Sequence, residues 1–552
     1  MTVVGGGLSG LTAALRLAEK GCRVRLLEVK EMLGGNLATR PLRGGGELDV
    51  YPHMYLEWYV NFWKLMQDVG VEQETSFRPF DSVYQLRRRD ESPRWSKLTN
   101  AYAPQYVPEN LFGGVGPPPD MFIFGYACLD LLAERAWHTV RLDNMSLAGF
   151  MDSRLYMTDA AIKACETFIG RIWALPARLV SAKDSQTYLR YCLPAGDARQ
   201  WLTRDSAEET VVCALRRALE QNGVEILTGT KINGIEVEKD RVTAIELQRS
   251  AFDPHEYEWT GTGAAWREQP DELILALPVK VLANLVREGT AGRRVVDAEP
   301  SLAALMQLES AGVPILNLCF KQRRSELHWE PVGLFDSPKN LAFTDISQSW
   351  EEVPRFRDKT LLAVSCSEPA MLTGPTREDD GHAIMCELAE YVDFDPGDSW
   401  GESDQIDWSL TRYNTNGDAQ LSLNTVGAAD ARPMPSPEKI RNLYIAGDYC
   451  HHHLGMTTIE AAVSSGARAA DELARFNALE GVEVQIPPTW PDEVYAAARA
   501  AFWPAVGVAT AMAARNGLAR EEYEPDDESG SLLSYLLTPG LPARHRRRRK
   551  RV

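Results

Sequence analysis

The sequence predicts an α/β fold in which one domain, built on a parallel sheet, is assembled from distant segments. A second, α+β domain fills the intervals. Three observations predict it. A short apolar run, a glycine-rich turn, a small-residue helix and a second apolar run follow one another in the first 28 residues. A strand, an acid-bearing turn and another small-residue helix recur far down the chain, at 443–470. Between them, β-type runs fall at 223–247, and a buried-strand pattern at 272–278 ends on a proline.

Composition bounds the rest. At 552 residues the chain is too long for one core. With 44% hydrophobic and 25% charged residues it is neither disordered nor fibrous. The net charge is −18 in spite of a basic run at 544–551, which argues against general nucleic-acid binding. Nine cysteines, with no C-x-x-C, read as free thiols in a reducing, cytoplasmic setting and offer no zinc site; no metal is expected. The apolar run at 2–15 is broken by glycines and lacks a basic flank, so it is not read as a signal peptide. No segment is apolar over the ~18 residues a membrane span needs.

The first motif has separable parts. Thr2-Val3-Val4 is a strand, Gly5-Gly6-Gly7-Leu8-Ser9-Gly10 the turn, and the following small residues a helix. Gly5 permits the tight turn, Gly7 lets backbone approach a pyrophosphate, and Gly10 lets helix and strand pack closely. The helix N-terminus, with Leu8 and Ser9, offers N–H groups and a partial positive charge to phosphate. The second strand, 24–27, ends at Glu28, with Val29 beside it, where a carboxylate can accept hydrogen bonds from ribose hydroxyls. This is a Rossmann-type dinucleotide motif. An acid at that position disfavours a 2′-phosphate and leaves NAD or FAD.

The segment that follows, Gly34-Gly35-Asn36-Leu37-Ala38-Thr39, resembles the E-x5-G-G-R-x-x-S/T stretch of the flavin amine oxidase and carotenoid desaturase superfamily, with Asn36 in place of the usual basic residue. The distant segment from Ala446-Gly447-Asp448 through Thr458-Ile459-Glu460-Ala461 to Gly466 is similar to that superfamily's C-terminal A-G-D…S-M-E-G-A-x-x-S-G motif, with Ala461 where the family has glycine. The resemblance implies FAD and a discontinuous, glutathione-reductase-like domain. It places Asp448 at the ribityl or pyrophosphate oxygens. Thr458 and Ile459 lie at the helix start, with the Ile459 N–H toward the flavin carbonyl edge, and the backbone of Ile232 lies against adenine. The implied domain limits are 1–75, 205–290 and 436–480 for the FAD domain, with 76–204 and 291–435 forming the substrate domain.

Three further stretches, 47–70, 146–151 and 313–318, look like plant- and cyanobacterial-type phytoene and ζ-carotene desaturases and hydroxysqualene dehydroxylases. The likeness covers about 1–480 and implies desaturation or dehydrogenation of a long apolar isoprenoid, carotenoid or triterpene-like. A hydride would pass to flavin N5 and a proton would leave the neighbouring carbon. A quinone would then accept the electrons, or oxygen if the chain is an amine or amino-acid oxidase on the same scaffold. A non-catalytic escort-type protein, which would be colourless, is the alternative from another class.

The aromatic run Tyr51, Tyr55, Trp58, Tyr59, Phe62 and Trp63 fits a bulky apolar substrate. The uncharged stretch 121–129 is either core helix, tunnel lining or a membrane-surface contact. His53 is the candidate catalytic residue, as a proton acceptor or substrate-orienting group, against a purely structural histidine. His451-His452-His453 reads as a solvated loop or as a flavin or substrate contact. Beyond 480, residues 492–515 form an alanine-rich helix candidate interrupted by Pro504, then an acidic loop at 521–527 and the basic tail. With 121–129, that tail would hold the protein peripherally on a membrane.

Overall fold

The computed structural model describes residues 1–42, 47–99, 107–134, 142–173, 175–195, 199–253, 258–288, 295–350 and 353–520. The acidic loop and basic tail expected at 521–527 and 544–551 lie outside the described residues.

A five-stranded parallel sheet brings the distant segments together. Its strands are β1 (Thr2–Val4), β2 (Arg25–Leu27), β3 (Glu225–Leu227), β4 (Leu273–Leu275) and β5 (Leu443–Ile445), in spatial order β3-β2-β1-β4-β5. Val3 lies opposite Leu26 and Ile274, and Ile274 opposite Tyr444. Side chains of one strand alternate between faces, and here both faces are buried. Val3, Leu26, Ile274 and Tyr444 join one core cluster, while Val4, Leu27, Leu275 and Ile445 join another. A sheet covered on both sides needs near-continuous apolar strands, which is why these segments do not alternate with polar residues.

Five helices position the site: α1 (Leu8–Glu19), α2 (Pro118–Leu132), α3 (Ala182–Cys192), α4 (Ile459–Phe476) and α5 (Asp492–Arg520). On one face of the sheet α1 packs on α4 so closely that a Cβ at Gly466 would overlap the carbonyl oxygen of Ser9. The other face carries an antiparallel meander of Thr230–Glu238, Arg241–Asp253 and Glu258–Glu268.

A seven-stranded sheet forms the second body. Its order is Arg412–Asn414, Ile315–Phe320, Thr360–Cys366, Leu341–Asp345, Val332–Leu334, Ser82–Leu86 and Trp95–Thr99. All its pairings are antiparallel except that between Val332–Leu334 and Ser82–Leu86. Tyr51 links the two bodies: its hydroxyl donates to the Ala419 carbonyl (2.6 Å) and accepts from the Val313 N–H (3.3 Å).

Two expectations need correction. Pro504 does not interrupt the C-terminal helix, which runs through it to Arg520. Packing holds the turn that the proline weakens: Trp503 lies against Tyr126 and Tyr156, with ring centroids 6.0 and 6.1 Å away. The aromatic run after residue 50 is mostly core rather than substrate wall. Tyr55 stacks on Phe62 at 4.8 Å and both are buried, and Trp63 packs edge-on against Phe77.

Candidate cofactor and substrate site

One cavity of about 1530 Å³ opens along the C-terminal ends of β1, β2, β4 and β5 and continues to the seven-stranded sheet. That exceeds the roughly 300–1,000 Å³ of a drug-sized pocket, so it has room for more than one small molecule. Its wall includes Gly5, Gly7, Leu8, Ser9, Glu28, Val29, Gly34, Gly35, Asn36, Ile232, Gly447, Asp448, Thr458, Ile459 and His53. Gly10, placed with these in the sequence reading, is not on the wall. It sits inside α1, where a Cβ would overlap the Gly5 carbonyl oxygen, so its smallness serves packing.

The narrow half is a groove made largely of backbone. Gly5 has φ +113°, the left-handed region that a side chain resists, and it turns the chain from β1 into α1. A Cβ on Gly7 would meet only Gly35, at 3.9 Å, so this stretch of backbone is open to a ligand. No side chain caps α1 at Gly7, which leaves its first N–H groups facing the groove. Across the groove Gly34, at φ +108°, brings the second glycine pair alongside, and its N–H donates to the Gly6 carbonyl (2.8 Å).

Glu28 is buried, and two backbone donors orient its carboxylate. The Gly6 N–H reaches Oε2 at 2.6 Å and the Lys30 N–H reaches Oε1 at 2.8 Å. Each oxygen keeps a further lone pair for a hydroxyl. Burial raises this carboxyl above its ordinary range while those donors pull it back. At the other end Asp448 accepts from the Ser422 hydroxyl (3.2 Å), and burial pushes it up to about 6. Thr458 caps α4 by accepting the Ala461 N–H (3.0 Å), so Ile459 stands in the first turn of a helix whose N-terminus enters the cavity. Two helix N-termini, an open glycine backbone and a carboxylate at each end together fit a long molecule with hydroxyls at its ends and phosphates in the middle.

The wide half is apolar. Met121, Phe122, Phe124, Gly125, Cys128 and Leu129 of α2 line it, so the stretch 121–129 serves as both core and wall. The seven-stranded sheet, α3 and α5 complete the enclosure, and none of their lining residues is charged. Charged side chains on the wall, such as Lys30, Lys231, Asp418 and Lys280, belong to segments around the groove. Asp418 is itself paired with Arg40 (2.5 Å) and Lys30 (3.6 Å).

His53 is placed on the wall, with Nδ1 3.0 Å from the Tyr51 carbonyl. That contact assigns the proton to Nδ1 and leaves the Nε2 lone pair free. Burial pushes the imidazole down to about 4, so it is neutral across the neutral range. Of the three adjacent histidines, His451 is exposed, as a solvated loop requires, His453 is half-buried, and His452 departs from that expectation. His452 is buried, accepts the Leu454 N–H on Nδ1 (3.1 Å) and lies 3.3 Å from the Asp448 carbonyl through Nε2. It braces the turn carrying Asp448, and none of the three is on the cavity wall. Among the described residues no cluster of His, Cys, Asp and Glu can hold a metal ion, and no helix is long and apolar enough to cross a membrane.

Two contributors had no role in the sequence reading. Glu460, fully buried at the start of α4, accepts from the Asn61 N–H (2.9 Å), the Asn61 side-chain amide (2.6 Å) and the Phe62 N–H (2.9 Å). It fixes the helix whose N-terminus faces the cavity. Its signal was an acid among small apolar residues, at the glutamate of the C-terminal motif that the segment resembles. The other is α5, which places Tyr495, Ala498 and Phe502 on the wall; their helical spacing was visible, but not the surface they meet.

Comparison with known proteins agrees with this build. The family model described as flavin containing amine oxidoreductase matches residues 8–474. Carotenoid phi-ring synthases of Chlorobaculum tepidum and Streptomyces griseus are 24% and 28% identical over 44% and 43% of this chain, and the matches span 39% and 47% of those proteins. The chain thus spans under half the length of these curated relatives. A 15-cis-phytoene desaturase of Glycine max is 21% identical over 87% of this chain and 80% of its own length. Among solved structures, a putrescine oxidase (TM-score 0.59, 15% identity, 86% of this chain and 98% of that one) shares the fold. So does the cyclohexylamine oxidase of Brevibacterium oxydans (TM-score 0.55, 14% identity, 86% and 98%). A nucleotide groove joined to a second body, under a family match that runs through most of the chain, makes this protein a member of the flavin containing amine oxidoreductases, with FAD as its cofactor.

Proposed function

We propose that this enzyme dehydrogenates a long apolar isoprenoid, of the carotenoid or triterpene kind. The observation that carries the reading is the uncharged chamber continuous with the nucleotide groove. A carboxylate that would hold a charged amine is not among the lining residues of α2, α3, α5 and the large sheet. Cys128, which faces the chamber, is a neutral thiol, since burial pushes it up to about 12. The carotenoid names among the relatives support the same substrate class.

The site residues then have these roles. Glu28 and Val29 hold the adenosine ribose end of FAD, and the Ile232 backbone lies on the adenine. Gly5, Gly7, Leu8, Ser9 and the pair Gly34-Gly35 take the pyrophosphate stretch, with Asn36 anchored to the Gln420 carbonyl (3.3 Å) at its side. Gly447 and Asp448 hold the ribityl end, and Thr458 and Ile459 present the positive end of α4 to the ring. FAD, when bound, supplies the two-electron acceptor for a substrate C–H. The protein's task is to hold that C–H in place and keep water out, which a closely packed apolar wall does without ionisable residues. His53 Nε2, neutral and pre-aimed by its Nδ1 hydrogen bond, is the proton acceptor nearest in kind to what the reaction needs; its low basicity suits orientation and brief proton holding. A quinone takes the electrons onward. Peripheral contact with a membrane belongs to this reading, because the substrate resides in lipid and Trp503 beside the chamber is 56% exposed.

The test is anaerobic mixing of the yellow, FAD-loaded protein with polyenes, triterpenes and amines, reading the visible flavin band. Bleaching by a polyene or triterpene hydrocarbon is expected. Bleaching by amines alone transfers the assignment to an amine oxidase, and a colourless protein that cannot be loaded with FAD points to an escort role.

A further inference from the structure

We propose that α5, which lies beyond the family match, is the selectivity wall of the chamber, with Tyr495, Ala498 and Phe502 setting which apolar molecules fit. The inference rests on the chamber being the substrate site and adds the element that selects among substrates.

The helix starts 18 residues after the family match ends at 474. Its wall residues Val494, Tyr495, Ala498 and Phe502 recur at the three- and four-residue spacing of one helical face. Half-exposed wall residues stand at both ends of that face, Val494 at 45% and Phe502 at 50%, while Tyr495 is 1% exposed and Ala498 is intermediate. A lining residue that is half in solvent marks an opening, and a fully buried one on the same face marks depth. Ala498, the smallest, stands between Tyr495 and Phe502 and is the waist of the proposed wall.

The helix is held against its neighbours by side chains off that face. Asp492 pairs with Arg190 of α3 (2.9 Å), whose guanidinium also lies over the Tyr495 ring at 5.3 Å. Arg499 pairs with Asp130 of α2 (3.2 Å), and the Tyr126 hydroxyl donates to the Arg499 carbonyl (3.3 Å). At the rim, Phe502 meets Phe122 of α2 edge-on with ring centroids 6.4 Å apart. The passage is therefore bounded by α2 on one side and α5 on the other, and both boundaries are aromatic at the mouth. The connection back to α4 is also fixed: the Gln485 N–H donates to Asn61 Oδ1 (2.8 Å), and the Asn61 amide donates to the Gln485 carbonyl (2.8 Å). A rigid wall placed this way discriminates by shape. A long, narrow chain passes Ala498, and enlargement there closes the waist.

Direct binding to the FAD-loaded protein tests it, with retinol, a fluorescent isoprenoid polyene, as probe. Ala498→Trp is expected to weaken retinol binding about tenfold or more, with the flavin absorbance per mole of protein unchanged. Val508→Trp, on an exposed position of the same helix that is off the wall, is the control and is expected to bind as the wild type does. Phe502→Ala is expected to admit retinol carrying a bulky ester that the wild type excludes. Equal retinol affinity in Ala498→Trp and the wild type overturns the wall, as does a wild type that does not bind retinol at all. Weakened binding in Ala498→Trp, combined with no bleaching by any hydrocarbon, keeps the wall and rejects the proposed reaction.

Discussion

The two halves of the cavity are built on opposite principles. The groove is lined by backbone: glycines, helix N-termini and a carboxylate held by two N–H groups. The chamber is lined by side chains from α2, α3, α5 and the seven-stranded sheet. At Gly5 the backbone surface tolerates almost no change, because a Cβ there meets the Ala276 carbonyl oxygen, which cannot move aside. A side-chain surface tolerates much, because its neighbours repack and the result is a different shape rather than a lost one. The groove fixes one cofactor; the chamber can be retuned.

The sharpest way to break that contrast is at Gly10. Gly10→Val pushes a branched side chain into the Gly5 carbonyl and the Ala276 side chain, and we expect a destabilisation of roughly 4 kcal/mol or more with loss of bound flavin. Thermal unfolding and the visible spectrum measure it, and a stable yellow Gly10→Val protein would remove the steric account of the motif. Next is Glu28→Arg, which replaces a hydroxyl acceptor by a cation and strips the Gly6 and Lys30 N–H groups of their partner. The expected product is folded, mostly colourless apoprotein, and full flavin retention contradicts the ribose assignment.

A third expectation concerns pH. Burial lowers His452 to about 3 and His53 to about 4, against an ordinary 6.5. The unfolded chain therefore binds these protons first as pH falls. The stability tied to the neutral rings is complete above about 6.5 and is lost as pH drops toward 3–4, at up to about 1.4 kcal/mol per pH unit for each ring. His452→Ala should flatten that slope in denaturant titrations between pH 6.5 and 4, and an unchanged slope shows that the ring is not neutral and buried as described. The smallest effect belongs to the chamber. Phe122→Ala, at a partly buried position on its wall, should keep the flavin, cost on the order of 1–2 kcal/mol of stability and shift substrate preference. Loss of flavin in that variant would show that the two halves are coupled.

The groove was legible because its requirements are local. Gly5, Gly7, Gly34 and Gly35 answer to backbone conformation and close approach within short segments, and Glu28 follows from the strand it ends. The second segment was legible for the same reason, since Asp448 and Ile459 sit in a strand-turn-helix pattern of their own. The bracing role of His452 was neither of the readings made for its loop, solvated or in flavin or substrate contact, because nothing local distinguishes a buried imidazole from an exposed one; its burial depends on the fold around the Asp448 turn. The aromatic residues after 50 were misassigned for a related reason. Tyr55 and Phe62 are as apolar as Tyr59, and only the packing decides which ring faces the cavity. Pro504 was read as a break from its missing N–H, whereas Trp503 packed against Tyr126 and Tyr156 offsets that loss.

By itself the sequence determined the parallel nucleotide-binding core and the placement of its turns, because glycine conformation, strand periodicity and helix starts depend on near neighbours. Only the tertiary structure decided how large the apolar chamber is, which rings line it, and that a helix beyond the family's shared region closes one side. Those facts arise from contacts between segments far apart in the chain, where one apolar residue substitutes for another in sequence but not in space.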